Sequence, residues 1–184
     1  MKLDRLIIRI AIGAVVILFA AAFILRSDTV ESSAAIEIAA PPDVIWSTLT
    51  DPDKRHLWME SVTGAVQTVG SYGSATSSIM LMVSQEGRTR DIYEDVINSA
   101  APLLLQTKID DPEGVMKLNT VYDLRPVGPG GMRTRLKITA IRELEGLLAP
   151  YFSIVISQRS DKNVDYNLEA LKKLVEANYT PGQD

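Results

Sequence analysis

Four groups of residues in this 184-residue chain have types and spacings that could carry chemistry, and each has a plainer reading beside it. His56 is the single histidine. A general base needs a partner within hydrogen-bond reach; its neighbours Lys54 and Arg55 supply none, which favours an exposed surface histidine. Asp161 and Asp165 stand i and i+4 in a helix-periodic stretch and share a face. Such a pair can hold a cation or act across a site, and it is also what a solvated helix face carries. Asp91, Glu94 and Asp95 fall on both faces of one strand, so alternation keeps them from forming one cluster. Gly128-Pro129-Gly130-Gly131 lies between strands and lacks the Lys-Ser/Thr of a phosphate loop, so it reads as a turn.

The bulk composition removes further classes. There is no cysteine, which excludes thiol nucleophiles, disulfides and Cys-ligated zinc. One histidine excludes a multi-histidine metal site within a single chain, and no cofactor is expected. A net charge of −4 provides no basic field for nucleic acid. No catalytic constellation emerges, so whether the chain is an enzyme stays open. If it is, Tyr122, Asp161 and Asp165 are the candidates for a polar dyad.

The apolar residues are more suggestive. Met80, Met82, Met116 and Met132 all fall in predicted strands, and thioether side chains adapt to varied apolar partners. With Trp58, Leu118, Tyr122, Tyr151 and Phe152 they form the expected wall of an apolar pocket. Ordinary core packing accounts for the methionines equally well. Trp58 reads as a structural plug beside the pocket mouth, with stacking on a ligand as the alternative.

These residues need elements to position them. Ile36 and Ile38 end a short strand that Pro41-Pro42 stops. Pro42 suits the first turn of a helix, and Ile45 and Leu49 share its buried face. Asp51 is a natural N-cap with Pro52 behind it, opening a second short helix that runs to about Met59. Strands follow at Val62 to Val69, Thr76 to Val83, Thr89 to Asn98, Leu103 to Ile109, Val115 to Val127 and Met132 to Arg142, separated by Gly- and Asp-rich turns. In the last, Met132, Thr134, Leu136, Ile138 and Ala140 point one way. Arg133, Arg135 and Lys137 point the other, as a solvated outer face or a contact for anionic lipid headgroups. From about Leu144 to Asn178 the period becomes helical, with Pro150 starting or kinking the helix and Ile154, Leu168, Leu171 and Val175 on one line. Gln158, Asp161 and Asp165 fall on the same line; exposure is the preferred reading for them, a wet cavity the other.

Leu6 to Leu25 is apolar but for Arg9 and spans about 30 Å as a helix, one hydrocarbon core. Lys2, Arg5 and Arg9 lie ahead of the apolar core, and Arg26, Asp28 and Glu31 follow it. The expected arrangement is a single membrane span with a cytoplasmic N-terminus and an extracytoplasmic domain, at a bacterial inner membrane. A cleaved signal peptide with a secreted product is the alternative. The division is then anchor 1–26, linker 27–33, domain 34–178 and tail 179–184. The short linker keeps the domain at the membrane surface.

Pro42, Ile45, Trp46, Leu49, Asp51 and Trp58, after a strand, resemble the opening of the SRPBCC superfamily (START, Bet v 1-like and polyketide cyclase/dehydrase-like proteins). The close is similar too: a Gly-rich turn, a strand, then a long helix ending Asn167 to Glu176. The resemblance covers about Ser32 to Asn178. Ile45 replaces the commoner Val. It implies an α+β helix-grip fold, a curved antiparallel sheet around a long C-terminal helix, with an apolar cavity between them. It also implies binding of a lipid or other hydrophobic small molecule. A cyclase/dehydrase-type enzyme and an assembly or interaction protein at the membrane are the alternatives, the protein partner being unknown.

Overall fold

Alternation of apolar and polar residues along seven strands, broken by two short helices and ended by one long one, builds the architecture. A computed structural model describes residue 13 and residues 29–85, 87–110, 116–144 and 149–180, with the side chains of 85, 116, 144, 149–157 and 159 left out of that description. The expected membrane segment, Gly13 apart, lies outside the described residues. Among the described residues no helix is long and apolar enough to cross a membrane.

Strand β1 (Thr29–Ile38) leads into α1 (Pro42–Leu49). A 3-10 turn (Pro52–Lys54) and α2 (Arg55–Trp58) follow. The strands β2 (Val62–Val69), β3 (Ser78–Gln85), β4 (Arg88–Ala100), β5 (Leu104–Asp110), β6 (Met116–Val127) and β7 (Arg133–Leu144) then precede α3 (Ala149–Asn178). All seven strands form one antiparallel sheet in the order β1-β7-β6-β5-β4-β3-β2. β1 starts at Thr29, so most of the stretch expected as linker belongs to the sheet.

Local chemistry explains the helix starts. Pro42 opens α1 without a side-chain cap. The Asp51 carboxylate accepts the Asp53 backbone N–H at 3.0 Å and meets Lys54 Nζ at 2.9 Å, with Pro52 next, as the sequence predicts. Pro150 is the second residue of α3, where its missing N–H costs nothing. In α3, Ser160, Val164, Leu168, Leu171 and Val175 are buried, whereas Gln158, Asp161 and Asp165 are exposed, which is the preferred of the two readings. This buried stripe packs on β1, β7, α1 and α2.

The inner face of the sheet is organised in cross-strand rows. One runs Val30, Arg142, Leu118, Ile109, Glu94, Ile79 across six strands. The next runs Ser32, Ala140, Thr120, Thr107, Val96, and a third runs Ala34, Ile138, Tyr122, Leu105. Arg142 and Glu94 are therefore three strands apart in one row, roughly 14 Å at ~4.8 Å per strand.

Several expected pocket residues are placed elsewhere. On β3 the buried set is Ile79, Leu81 and Val83, so Met80 and Met82 point to the outer face. Ile79 to Val83 is a continuous apolar run whose phase alternation alone does not set. Met82 covers Gly64 across the pair; a Cβ there would lie 2.5 Å from its Cε. Met132 precedes β7, at the end of the 3-10 turn Pro129–Gly131, and is 47% exposed. From Thr134 onward the expected phase holds: Leu136, Ile138 and Ala140 are buried, and Arg133, Arg135 and Lys137 are exposed. Arg133 pairs with Glu37 at 2.7 Å.

Candidate functional site

A fully buried ion pair forms where α2 and β4 meet. Arg55, the first residue of α2, is 0% exposed, and Glu94 on β4 is 2% exposed. A lone buried charge costs several kcal/mol, so each requires the other. Arg55 Nη2 lies 3.1 Å from Glu94 Oε2 and donates a hydrogen bond to the Tyr72 hydroxyl. Tyr122 is close enough for Arg55 and Glu94 to act on its hydroxyl electrostatically, and Arg55 Nη1 reaches the Met59 thioether at 3.3 Å.

Two rings hold the guanidinium. Its carbon is 5.0 Å from the Trp58 ring centroid and 4.9 Å from that of Tyr72, within cation–π range. Trp58 comes from the same short helix, one turn on. Tyr72 comes from the loop between β2 and β3, which is pinned on several sides. Its backbone N–H donates to Gln67 Oε1 at 3.1 Å, and Ser99 Oγ donates to the Gly73 carbonyl at 2.5 Å. Gly73 has φ +93°, and a Cβ there would lie 2.7 Å from Thr50 Cγ2, so the loop touches the end of α1 only because residue 73 has no side chain.

The electrostatics follow from burial and from the pair. Burial pulls the Arg55 guanidinium down, but Glu94 and the two tyrosines outweigh it and hold the guanidinium above its ordinary value. Burial, then the Glu94 charge, push Tyr122 up to about 12 against the opposing pull of Arg55. Burial likewise raises Tyr72, with Arg55 opposing. Both hydroxyls are therefore neutral hydrogen-bond donors near neutral pH, unsuited to act as bases there.

The cluster is not saturated. Among the described residues, Arg55 Nε, Trp58 Nε1 and Glu94 Oε2 are buried without an aligned hydrogen-bond partner, although Glu94 Oε2 is ion-paired with Arg55 Nη2. Around these atoms lie Ile79, Leu81, Ile92, Leu105 and Leu124, all in the buried core. Polar atoms with unused capacity inside an apolar shell are the makings of a ligand-orienting site.

Of the expected pocket residues, the structure brings Trp58 and Tyr122 into this cluster and puts Leu118 on the same inner face, partly buried against the core. The backbone of Met116 opens β6, and those of Tyr151 and Phe152 lie in α3; their side chains lie outside the described residues. His56 is exposed. Arg55, Tyr72 and Glu94 were not expected. The signal for Glu94 was present in β4, where Ile92 and Val96 flank it at i−2 and i+2, the inward phase. Nothing local marks Arg55, which sits between Lys54 and His56.

A family model described as "Polyketide cyclase / dehydrase and lipid transport" matches residues 29–176. No curated protein matches the chain by sequence. Among solved structures, the chain is similar to a START superfamily protein from Mycobacterium smegmatis, with 17% identity and a TM-score of 0.66 over 81% of this chain and 99% of that one. It is similar to the Zhui aromatase/cyclase from Streptomyces sp. R1128, with 14% identity and a TM-score of 0.68 over 84% and 98%. A protein from Thermus thermophilus gives 18% and 0.66 over 82% and 99%. At such identities the likeness shows the helix-grip fold.

Proposed function

The chain belongs to the polyketide cyclase/dehydrase and lipid transport family, and from that premise we propose that it binds a hydrophobic small molecule or lipid between the sheet and α3. The carrying observation is the Arg55–Glu94–Tyr72–Tyr122 cluster, which places hydrogen-bonding groups with unused capacity inside an apolar interior. A ligand with an oxygen function would present it to Tyr122 and Arg55 and bury its apolar body against Leu105, Leu118 and Leu124. Native mass spectrometry of the full chain extracted in mild detergent tests this. A co-purifying mass of a few hundred daltons, released on unfolding, is expected. A ligand-free spectrum from every membrane source would sink the reading.

The proposal includes a membrane anchor. Its support is the apolar run Leu6 to Leu25 and the start of β1 at Thr29. Only Arg26, Ser27 and Asp28 lie between, reaching at most ~10 Å. The N-terminus would be cytoplasmic and the domain extracytoplasmic, with secretion after cleavage as the alternative. The start of β1, the end of β5, the start of β6 and the end of β7 share one end of the sheet, and the anchor would hold that end against the bilayer.

A cyclase/dehydrase-type activity is the second reading. Tyr122 beside Arg55 and Glu94 supports it, whereas the exposed Asp161 and Asp165 do not. The neutral, high-pKa Tyr122 suits polarising a carbonyl more than abstracting a proton, which puts binding ahead of catalysis. An assembly role draws on the outer-face row Val66, Met80, Tyr93, where Val66 and Tyr93 are exposed.

A further inference from the structure

A second set of buried polar atoms lies on the inner face, away from the Arg55 cluster. Ser32 is 2% exposed and Ser160 is 1% exposed, and among the described residues neither hydroxyl has a hydrogen-bond partner, nor has the buried Nε of Arg142. The register brings Ser32 and Arg142 together. Arg142 is paired with Val30 and Ser32 with Ala140, so Ser32 and Arg142 are diagonal neighbours on one face. Ser160 belongs to the α3 stripe that packs on β1 and β7. The charge of Asp161, the next residue, is felt at Arg142, which ties this turn of α3 to the same place.

A hydroxyl normally finds a partner when buried, and an arginine deprived of water does so at a higher cost. Ser32 and Arg142 share one face of the β1–β7 pair, and the helix that carries Ser160 packs on the same two strands; the guanidinium only donates, and each hydroxyl can donate to an anion as well as accept. Burial pulls the Arg142 guanidinium below its ordinary range, and the charge of Asp161 opposes that only in part. Asp161 itself is exposed. Arg142 is flanked in its row by Val30 and Leu118, and the row continues through Ile109 to Glu94. The interior thus has two polar poles separated by an apolar row roughly 14 Å long.

We propose that Ser32, Arg142 and Ser160 form an anion site that takes the carboxylate of an amphiphilic ligand, whose alkyl body then lies along Leu118 and Ile109 toward the Arg55–Glu94 pole. The inference rests on the reading that the interior holds a hydrophobic ligand, and it narrows that ligand to an anionic amphiphile. A guanidinium and two hydroxyls match the lone pairs of a carboxylate, and charge-assisted hydrogen bonds of this kind are the strong ones. The saturated twelve-carbon acid has about the right length to span the two poles.

The test uses the full chain in a non-ionic detergent and two probes labelled with carbon-13 at C1, dodecanoate and dodecanol, followed by NMR. The site predicts a bound carboxylate resonance distinct from that of the micellar acid. Arg142→Met should weaken dodecanoate at least tenfold and leave dodecanol within twofold. The Ser32→Ala, Ser160→Ala double variant, whose fold is less at risk, should weaken the acid severalfold and leave the alcohol alone. Arg142→Lys should restore part of the loss. Equal loss of acid and alcohol, or no loss of either, overturns the anion site while leaving the hydrophobic interior standing. Absence of any bound resonance for both probes in the unaltered chain overturns both.

Discussion

Arg55 and Glu94 are tolerated in the interior because each neutralises the other, so their removal is not symmetrical with their presence. Glu94→Gln keeps the shape but leaves a buried guanidinium without its counter-charge. It should destabilise the domain by about 3–5 kcal/mol in urea unfolding. The double variant Arg55→Met, Glu94→Leu should recover most of that loss, because a well-packed apolar pair carries no desolvation cost. Tyr122 provides a pH signature. Its folded pKa, pushed up to about 12, exceeds the unfolded value near 10. Its contribution is then complete below pH 10 and is lost as the pH rises from 10 toward 12, on the order of 3 kcal/mol. Urea midpoints measured from pH 9 to 11.5 should fall more steeply for the unaltered chain than for Tyr122→Phe. Parallel slopes would remove Tyr122 from the buried cluster. At this scale the sequence was legible where type implied position: Trp58 and Tyr122 are large, amphipathic and inward. It was illegible for Arg55, because a cation between Lys54 and His56 looks solvated until Glu94 arrives opposite it from another element.

The two short helices and the β2–β3 loop exist, in effect, to deliver Arg55, Trp58 and Tyr72 to one point. Gly73→Ala tests that at the element scale. The residue sits at φ +93° with Thr50 Cγ2 2.7 Å from the would-be Cβ. Strain and collision together should cost roughly 1–3 kcal/mol in thermal unfolding. A neutral result would mean that the loop can lift off α1. Leu171 is fully buried on α3, and Leu171→Ala should cost about 2–5 kcal/mol. Elements were the most legible level of the sequence. Asp51-Pro52 and Pro150 marked helix starts by mechanism, and the alternation from Arg133 to Ala140 in β7 set which face turned inward. β3 was not legible in the same way: Ile79-Met80-Leu81-Met82-Val83 is apolar at every position, and only pairing with β4 assigns Ile79 and Leu81 to the core and both methionines to the outside.

At the scale of the whole molecule, the proposed anchor would join the helix-grip domain to a membrane through Arg26, Ser27 and Asp28. The full chain should stay with membranes after an alkaline carbonate wash, and proteolysis from the extracytoplasmic side should reach the domain; release into the supernatant would remove the anchor. The central claim concerns the interior, and Trp58 reports on it directly. With Trp46→Phe, Trp58 becomes the only tryptophan, and it lies against the Arg55 pole. Bromine quenches indole fluorescence only at contact range. Titrating this variant in detergent with 12-bromododecanoate should give saturable quenching of Trp58, reversed by excess dodecanoate. Emission that falls only in proportion to the bromide in the micelle, without saturation or reversal, would contradict a ligand in the interior.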